Sequence, residues 1–187
     1  MAAGNNAEVH RRPEGGVEVM VSAAEIAARI DALATAIAED LGPDIVIVSI
    51  LKGSFVFSAD LMRALHHHGV HPRIDFLTLA SYGAGQESSG NIETVHDITD
   101  TVAGETVLLI DDILDSGRTL AFARDLLIGR GAARVAACVL LDKPSRRRFA
   151  VEADYVGFAT PDVFVVGYGL DYAHFYRELP YIGRFVE

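Results

Sequence analysis

Lysine is nearly absent from this chain. Of its 16 lysine and arginine residues only Lys52 and Lys143 are lysines. Cysteine occurs once, as Cys138, which excludes an intrachain disulfide; its place in the apolar run Val135–Leu141 reads as a small core residue. No apolar run approaches the ~20 residues of a membrane span. Residues Met1 to Glu18 are polar and glycine-rich, without the apolar stretch of a signal peptide, so the chain reads as soluble and cytoplasmic. Positive charge is in deficit: 26 Asp and Glu against 16 Lys and Arg give a net charge of −10. That balance argues against holding nucleic acid or an anionic membrane surface. There is no GxxxxGK[ST], and GYGLDY (167–172) lacks the third glycine of a dinucleotide fingerprint, so nucleoside-triphosphate and NAD sites of those kinds are excluded. What is present is 187 residues, half of them hydrophobic and 22% charged, enough for one domain (1–187) with a packed core.

Residues 1–16 read as a loose tail. Ser22-Ala-Ala-Glu25 is a capping box. Ile26, Ile30, Leu33, Ile37 and Leu41 follow at helical spacing until Gly42-Pro43. Asp44–Leu51 is β-branched and almost wholly apolar, the pattern of a strand buried on both faces. Lys52-Gly53-Ser54 breaks it, and Phe55–His68 reads as a helix ended by Gly69. Ile74–Leu79, Val95–Asp100, Thr106–Ile110, Val135–Leu141, Tyr155–Phe158 and Phe164–Tyr168 read as strands, and Thr119–Arg130 as a helix. Residues 81–94 have no apolar period and are rich in Gly and Ser; a loop that long is usually functional. Buried strands alternating with helices predict an α/β fold with a mainly parallel sheet. In such sheets ligands bind beyond the carboxyl ends of the strands. Three strand ends carry chemistry: Lys52-Gly53, Asp111-Asp112 and Asp142-Lys143.

The densest segment is Val107–Leu120, VLLIDDILDSGRTL. A hydrophobic strand runs into Asp111 and Asp112, then into the loop Asp111–Arg118, with Asp115 and Ser116-Gly117-Arg118-Thr119 at a helix start. Small residues there leave backbone N–H groups open, and with the helix dipole, two hydroxyls and an arginine they make a phosphate cradle. Carboxylates beside a phosphate need other partners. Ribose hydroxyls and Mg²⁺ are the natural ones.

This segment resembles the phosphoribosyl-diphosphate motif of the type I phosphoribosyltransferases. LKGSFVFSADL (51–61), SYG…SSG (81–90), LLDKPSRR (140–147) and PDVFVVGYGLDYAHFYRELPYIG (161–183) resemble the hypoxanthine-guanine branch of that family. The resemblance implies a central sheet flanked by helices, a small hood formed by the N- and C-terminal segments, and a flexible lid. It implies transfer of the phosphoribosyl group of 5-phosphoribosyl 1-diphosphate to a 6-oxopurine, hypoxanthine and also guanine, with Mg²⁺ as cofactor and pyrophosphate released, in a homodimer or homotetramer.

The same resemblance assigns residues. Asp111 and Asp112 would hold the ribose hydroxyls and favour a cationic ribose, as glycosyl transfer requires. The family usually has Glu-Asp here, so the shorter Asp111 ranks below Asp112. Asp115, Ser116, Gly117, Arg118 and Thr119 would line the 5′-phosphate pocket, with Asp115 also the acid or base at purine N7. Lys143 would donate to purine O6, which a lysine can do and an adenine amino group cannot reward. Phe164 would stack on the base and the Val165 backbone would meet its edge. Asp171 would recognise the C2 substituent or serve Mg²⁺ with Asp111 and Asp112. Arg177 and the Lys52-Gly53 backbone would hold pyrophosphate, after a cis peptide between Leu51 and Lys52. Family members often have a second glycine where this chain has Ser54. Ser81-Tyr82 and the 81–94 loop would close as a lid and exclude water.

Two tempting signals are set aside. His66-His67-His68 are consecutive on a helix and point in different directions, so they cannot share one metal ion. Arg146-Arg147-Arg148 reads as a solvated or oligomer-facing surface. The competing function is a regulatory homologue that binds RNA and senses nucleotides; it needs a basic face, for which a charge of −10 leaves little.

Overall fold

The computed structural model describes residues 11–82 and 91–187. The predicted capping box forms. Glu25 N donates to Ser22 Oγ at 3.3 Å and Ser22 N donates to a Glu25 carboxylate oxygen at 2.8 Å. It opens α1 (Ala23–Leu41), whose Ile26, Ile30, Leu33 and Ile37 are buried. Gly42, at φ +77°, ends it, a left-handed conformation that glycine takes without a Cβ clash.

The main sheet has six strands: β2 (Val46–Leu51), β3 (Arg73–Tyr82), β4 (Asn91–His96), β5 (Thr106–Leu114), β6 (Arg134–Asp142) and β7 (Tyr155–Ala159). Their order is β4-β3-β2-β5-β6-β7. All neighbours are parallel except the edge strand β4, which runs antiparallel to β3. α1 and α2 (Phe55–His67) share one core with one face of the sheet, around Ile47, Leu61, Leu108 and Leu140. α3 (Arg118–Gly129) packs on the other face, around Val48, Leu109, Leu120 and Val139. Burial from both sides explains why β2, β5 and β6 read as continuous apolar runs. Cys138 is fully buried in the first core, and burial pushes its thiol well above the usual range, so it is the expected packing residue.

A small sheet joins the two ends of the chain. β1 (Gly16–Val21), β8 (Val165–Val166) and β9 (Ile182–Val186) lie in the order β1-β9-β8, all antiparallel. This is the expected hood. Neither β1 nor β9 is predicted above; the alternation in Val17-Glu18-Val19-Met20-Val21 was the available signal. The tail expectation needs correcting from residue 11 onward. Tyr176 Oη donates to Pro13 O at 2.7 Å, the Arg12 guanidinium lies 4.4 Å from the centre of the Tyr176 ring, and Gly16 already pairs with Val186. Residues 1–10 lie outside the described residues.

Three boundaries also differ. The supposed loop 81–94 begins and ends in strand, because Leu79 to Tyr82 pair antiparallel with Asn91 to Thr94; its centre, 83–90, lies outside the described residues. Val95–Asp100 is accordingly replaced by β4, which ends at His96. The loop Asp111–Arg118 starts later than predicted: β5 continues through both carboxylates to Leu114, since Asp111, Ile113 and Leu114 still pair with Val139, Leu141 and Asp142 of β6. No described helix is long and apolar enough to cross a membrane.

Candidate active site

The sheet order places the crevice. From β2 the chain moves outward to β3 and β4; from β5 it moves the other way to β6 and β7. The carboxyl ends of β2 and β5 therefore flank the reversal point, where open α/β sheets bind ligands. The turn after β2 and the carboxylates of β5 meet there. A Cβ on Gly53 would stand 1.5 Å from Asp112 Oδ2, and one on Gly169 would stand 2.3 Å from Gly53 O. Two glycines are thus required for the turn, Asp112 and the 167–171 segment to come together. Gly169 also has φ +98°.

The Leu51–Lys52 peptide is cis, as the resemblance implied. Beneath the turn lies a feature absent from the sequence reading. Ser49 Oγ is 2.7 Å from both Ser54 Oγ and Ser58 Oγ, and Ser54 also donates to Ile50 O. All three serines are buried. The hydroxyl that replaces a second glycine at Ser54 is therefore satisfied.

A cavity of about 480 Å³ opens beside this junction, lined by Asp112, Asp115, Lys143, Phe164, Val165 and Asp171 among others. Six of the residues singled out in the sequence thus converge from the ends of β5 and β6 and from the hood. Lys143 is only 8% exposed, and its Nζ donates to Val163 O at 2.7 Å. Phe164 is 53% exposed, edge-on to Tyr172 at 5.0 Å between ring centres. Tyr172 in turn meets Phe185. An aromatic face held this way is free for a flat ligand rather than committed to the core.

The paired carboxylates differ. Asp112 lines the cavity. Asp111 is 6% exposed, is not among the cavity-lining residues and accepts from Asp112 N at 3.0 Å. Burial pushes the Asp111 carboxyl well above the ordinary carboxylate range, and the charge of Asp112 adds to this. Burial raises Asp112 as well, partly offset by its hydrogen bonding with Asp111 and by Arg177. A buried acidic pair of this kind is incomplete without cationic or hydroxyl partners.

Asp171 and Arg177 form an ion pair at 2.5 Å, and Arg177 also donates to Gly169 O at 2.5 Å. Among the described residues no three His, Cys, Asp or Glu side chains form a group that could hold a metal ion. Asp111, Asp112 and Asp171 are therefore no ready-made cage. The donor set still suits Mg²⁺, which keeps several waters and is typically held by one or two carboxylates plus substrate phosphates.

At the start of α3, Gly117 has φ +85° and Arg118 N donates to Ser116 Oγ at 3.4 Å. The Arg118 guanidinium lies 5.8 Å from the centre of the Phe149 ring. Thr119 sits in the first helical turn. Ser81 and Tyr82 end β3, at the margin of the segment outside the described residues.

The reading of Arg146-Arg147-Arg148 as a solvated or oligomer-facing surface fails for Arg147 alone; Arg146 keeps 51% of its side chain exposed and Arg148 is exposed as well. Arg146 lines the cavity; its Nε donates to Asp115 Oδ1 at 3.2 Å and its Nη1 is 3.5 Å from Asp162 Oδ2. Arg147 is about four-fifths buried, against the carbonyls of Leu114 and Asp115 and the Asp142 carboxylate. The backbone turn at Pro144–Arg146, a local feature without a sequence period, folds them back onto Asp115. His68 pairs with Asp31 at 2.9 Å, consistent with setting the histidines aside as a metal site.

Comparison with known proteins agrees with this geometry. Residues 20–173 match the family model described as "Phosphoribosyl transferase domain". The chain belongs to the phosphoribosyl transferase family. Within it, the chain is 46% identical over 173 residues to the hypoxanthine phosphoribosyltransferase of Escherichia coli K12, covering 91% of this chain and 96% of that protein. It superposes with a TM-score of 0.85 on the crystal structure of a hypoxanthine phosphoribosyltransferase from Staphylococcus aureus, at 41% identity over 90% of each chain. It also superposes with a TM-score of 0.87 on the hypoxanthine phosphoribosyl transferase of Trypanosoma cruzi, at 38% identity over 94% of each chain.

Proposed function

We propose that this chain transfers the phosphoribosyl group of 5-phosphoribosyl 1-diphosphate to a 6-oxopurine, hypoxanthine and also guanine, in cytoplasmic purine salvage. The observation that carries this reading is the meeting, in one cavity, of a ribose-side carboxylate (Asp112), an acid–base candidate (Asp115) and a lysine with an aromatic face (Lys143, Phe164). The names of its relatives support the same substrate class.

The purine stacks on Phe164, with its edge along the Val165 backbone and its O6 toward Lys143. Lys143 Nζ has three hydrogens and gives only part of its donor capacity to Val163 O. A carbonyl at C6 takes a further hydrogen; an amino group there offers no acceptor, and this discriminates against adenine. Asp171, already tied to Arg177, faces the substituent at C2. Ser116, Gly117, Arg118 and Thr119 hold the 5′-phosphate at the α3 N-terminus. Arg177 and the Lys52-Gly53 backbone hold the diphosphate. Asp112 takes the ribose hydroxyls, with Asp111 behind it.

In the reaction the C1–oxygen bond to diphosphate breaks and a C1–nitrogen bond to the purine forms. The ribose gains positive charge on the way, which the Asp111–Asp112 pair favours. Asp115 exchanges the proton at purine N7. Mg²⁺ would be held by Asp112 and Asp171 together with substrate oxygens, and when bound it neutralises charge on the diphosphate leaving group. Ser81 and Tyr82, at the end of β3, would help to keep water from the ribose.

We also propose a homodimer or homotetramer. An apolar groove of about 870 Å³, lined by Ala23, Ile26, Phe55, Val56 and Leu179 among others, offers a face for a second copy. Phe55→Glu should lower the mass measured by light scattering; an unchanged mass would rule out that face.

Turnover is the test of function: Mg²⁺, 5-phosphoribosyl 1-diphosphate, and hypoxanthine, guanine, xanthine or adenine offered separately. Nucleotide formation from hypoxanthine and guanine is expected. No product from any 6-oxopurine would overturn the proposal.

A further inference from the structure

We propose that Arg147 is a positioning residue that locks the phosphate loop to the purine-reading lysine, so that one side chain sets both subsites. This rests on the assignments of Ser116–Thr119 to phosphate and Lys143 to the base.

The geometry is specific. Arg147 Nη1 donates to Asp115 O at 3.1 Å and reaches Leu114 O at 3.4 Å. Its Nη2 donates to Asp142, the residue before Lys143. Both partners of that ion pair are about four-fifths buried, at 20% and 19% side-chain exposure. One planar guanidinium therefore bridges the end of β5 to the end of β6, using a fork that a lysine ammonium cannot reproduce.

The neighbouring backbone continues the clamp. Lys143 N donates to Leu114 O at 3.0 Å, and Arg148 N and Phe149 N donate to Ser116 O at 2.9 and 3.0 Å. The carbonyls of Leu114, Asp115 and Ser116 are thus all engaged by residues 143–149. In a trans peptide the C=O and the following N–H point in opposite directions, and the only cis peptide among the described residues is Leu51–Lys52. Holding these three carbonyls toward residues 143–149 turns the N–H groups of Asp115, Ser116 and Gly117 away from that segment, to the side on which the proposed phosphate would sit. A Cβ on Gly117 would stand 3.0 Å from Arg147 Cδ and 2.6 Å from Val151, so the loop lies directly on this support.

The consequence is that the two substrates' sites share an anchor although neither substrate touches it. Arg147→Met should raise KM for 5-phosphoribosyl 1-diphosphate about tenfold and KM for hypoxanthine severalfold, with a smaller change in kcat. Arg147→Lys should fall between this variant and wild type, because it keeps the charge opposite Asp142 but not the fork. Asp142→Asn should resemble Arg147→Met, and the double variant should be no worse than Arg147→Met, since both break one link. A purely structural role would lower the thermal midpoint and leave both KM values in place. Folded Arg147→Met with both KM values within twofold of wild type would overturn the proposal; if that variant does not fold, Arg147→Lys is judged by the same criterion. Thr119→Val separates the underlying assignment. An unchanged diphosphate KM there would sink the phosphate loop itself, whereas a raised KM there with normal Arg147 variants would sink only the coupling.

Discussion

Gly53→Ala tests the closest approach in the site. Gly53 does not have a positive φ, so alanine fits its backbone without strain, and the added methyl group acts only on what it meets. It would meet Asp112, at 1.5 Å from Oδ2, 2.5 Å from Cγ and 3.2 Å from Cβ. Restoring ordinary contact moves the carboxylate oxygen by about 2 Å. Misplacing a reacting group by ~1 Å can cost ~100-fold in rate, or ~2.7 kcal/mol. The expected result is a fall of at least about 100-fold in kcat/KM for 5-phosphoribosyl 1-diphosphate. Stability should change little, because the displaced carboxylate leaves a buried pair whose ionised form is already disfavoured by burial; a shift of the thermal midpoint of no more than about 4 °C corresponds to ~1 kcal/mol in a chain of this size. The assay is initial rate against diphosphate concentration at saturating hypoxanthine, beside a thermal melt. Wild-type kcat/KM in Gly53→Ala would refute the reasoning, since the Asp112 carboxylate would then not need its place against the turn.

Three other outcomes are expected. Asp111 is raised above its ordinary 3.8 by burial and by Asp112. The folded protein therefore holds that proton after the unfolded chain has released it; this contribution is full below about pH 3.8 and is lost as pH rises through the folded value. Asp111→Asn should flatten that loss and raise the thermal midpoint of the ligand-free protein at pH 7 by roughly 2–4 °C while turnover falls; a lower midpoint at pH 7 would contradict the sign. Lys143→Gln should cut kcat/KM for hypoxanthine about 10- to 100-fold, the worth of a charged hydrogen bond, and narrow the preference over adenine; undiminished preference would remove Lys143 from base recognition. Gly129→Ala, at the end of α3 with nothing within 4 Å of its Cβ, should add about 0.5–1 kcal/mol of stability with turnover unchanged, as read by a melt and an activity assay; a lower midpoint would mean the position is not open.

The two lysines show how far chemistry was legible along the chain. Both stand at the ends of buried strands, and strand ends in a parallel sheet share one rim, so Lys52, Lys143 and Asp112 could be brought together on paper. Periodicity gave α1 and the strands buried on both faces for the same reason: each pattern is local and repeats. The hood was harder. β1 and β9 are short, half-exposed and paired across the whole length of the chain, and long-range antiparallel pairing leaves little trace in either segment alone.

The chain by itself determined the buried strands of the sheet, the carboxylate pair, the Asp115–Thr119 segment and the segments carrying Lys143 and Phe164, because each is a short run whose residue types carry the pattern. Tertiary structure decided three things that no run contains. It divided the paired carboxylates into one that lines the cavity, Asp112, and one withdrawn behind it, Asp111. It hid Ser49, Ser54 and Ser58 beneath the Lys52-Gly53 turn. It also took one arginine out of an exposed run, Arg147, and set it between two strand ends, while Arg146 stays exposed and pairs with Asp115. The reason is the same in each case: a charge or hydroxyl is defined by the partner opposite it, and here that partner comes from another loop.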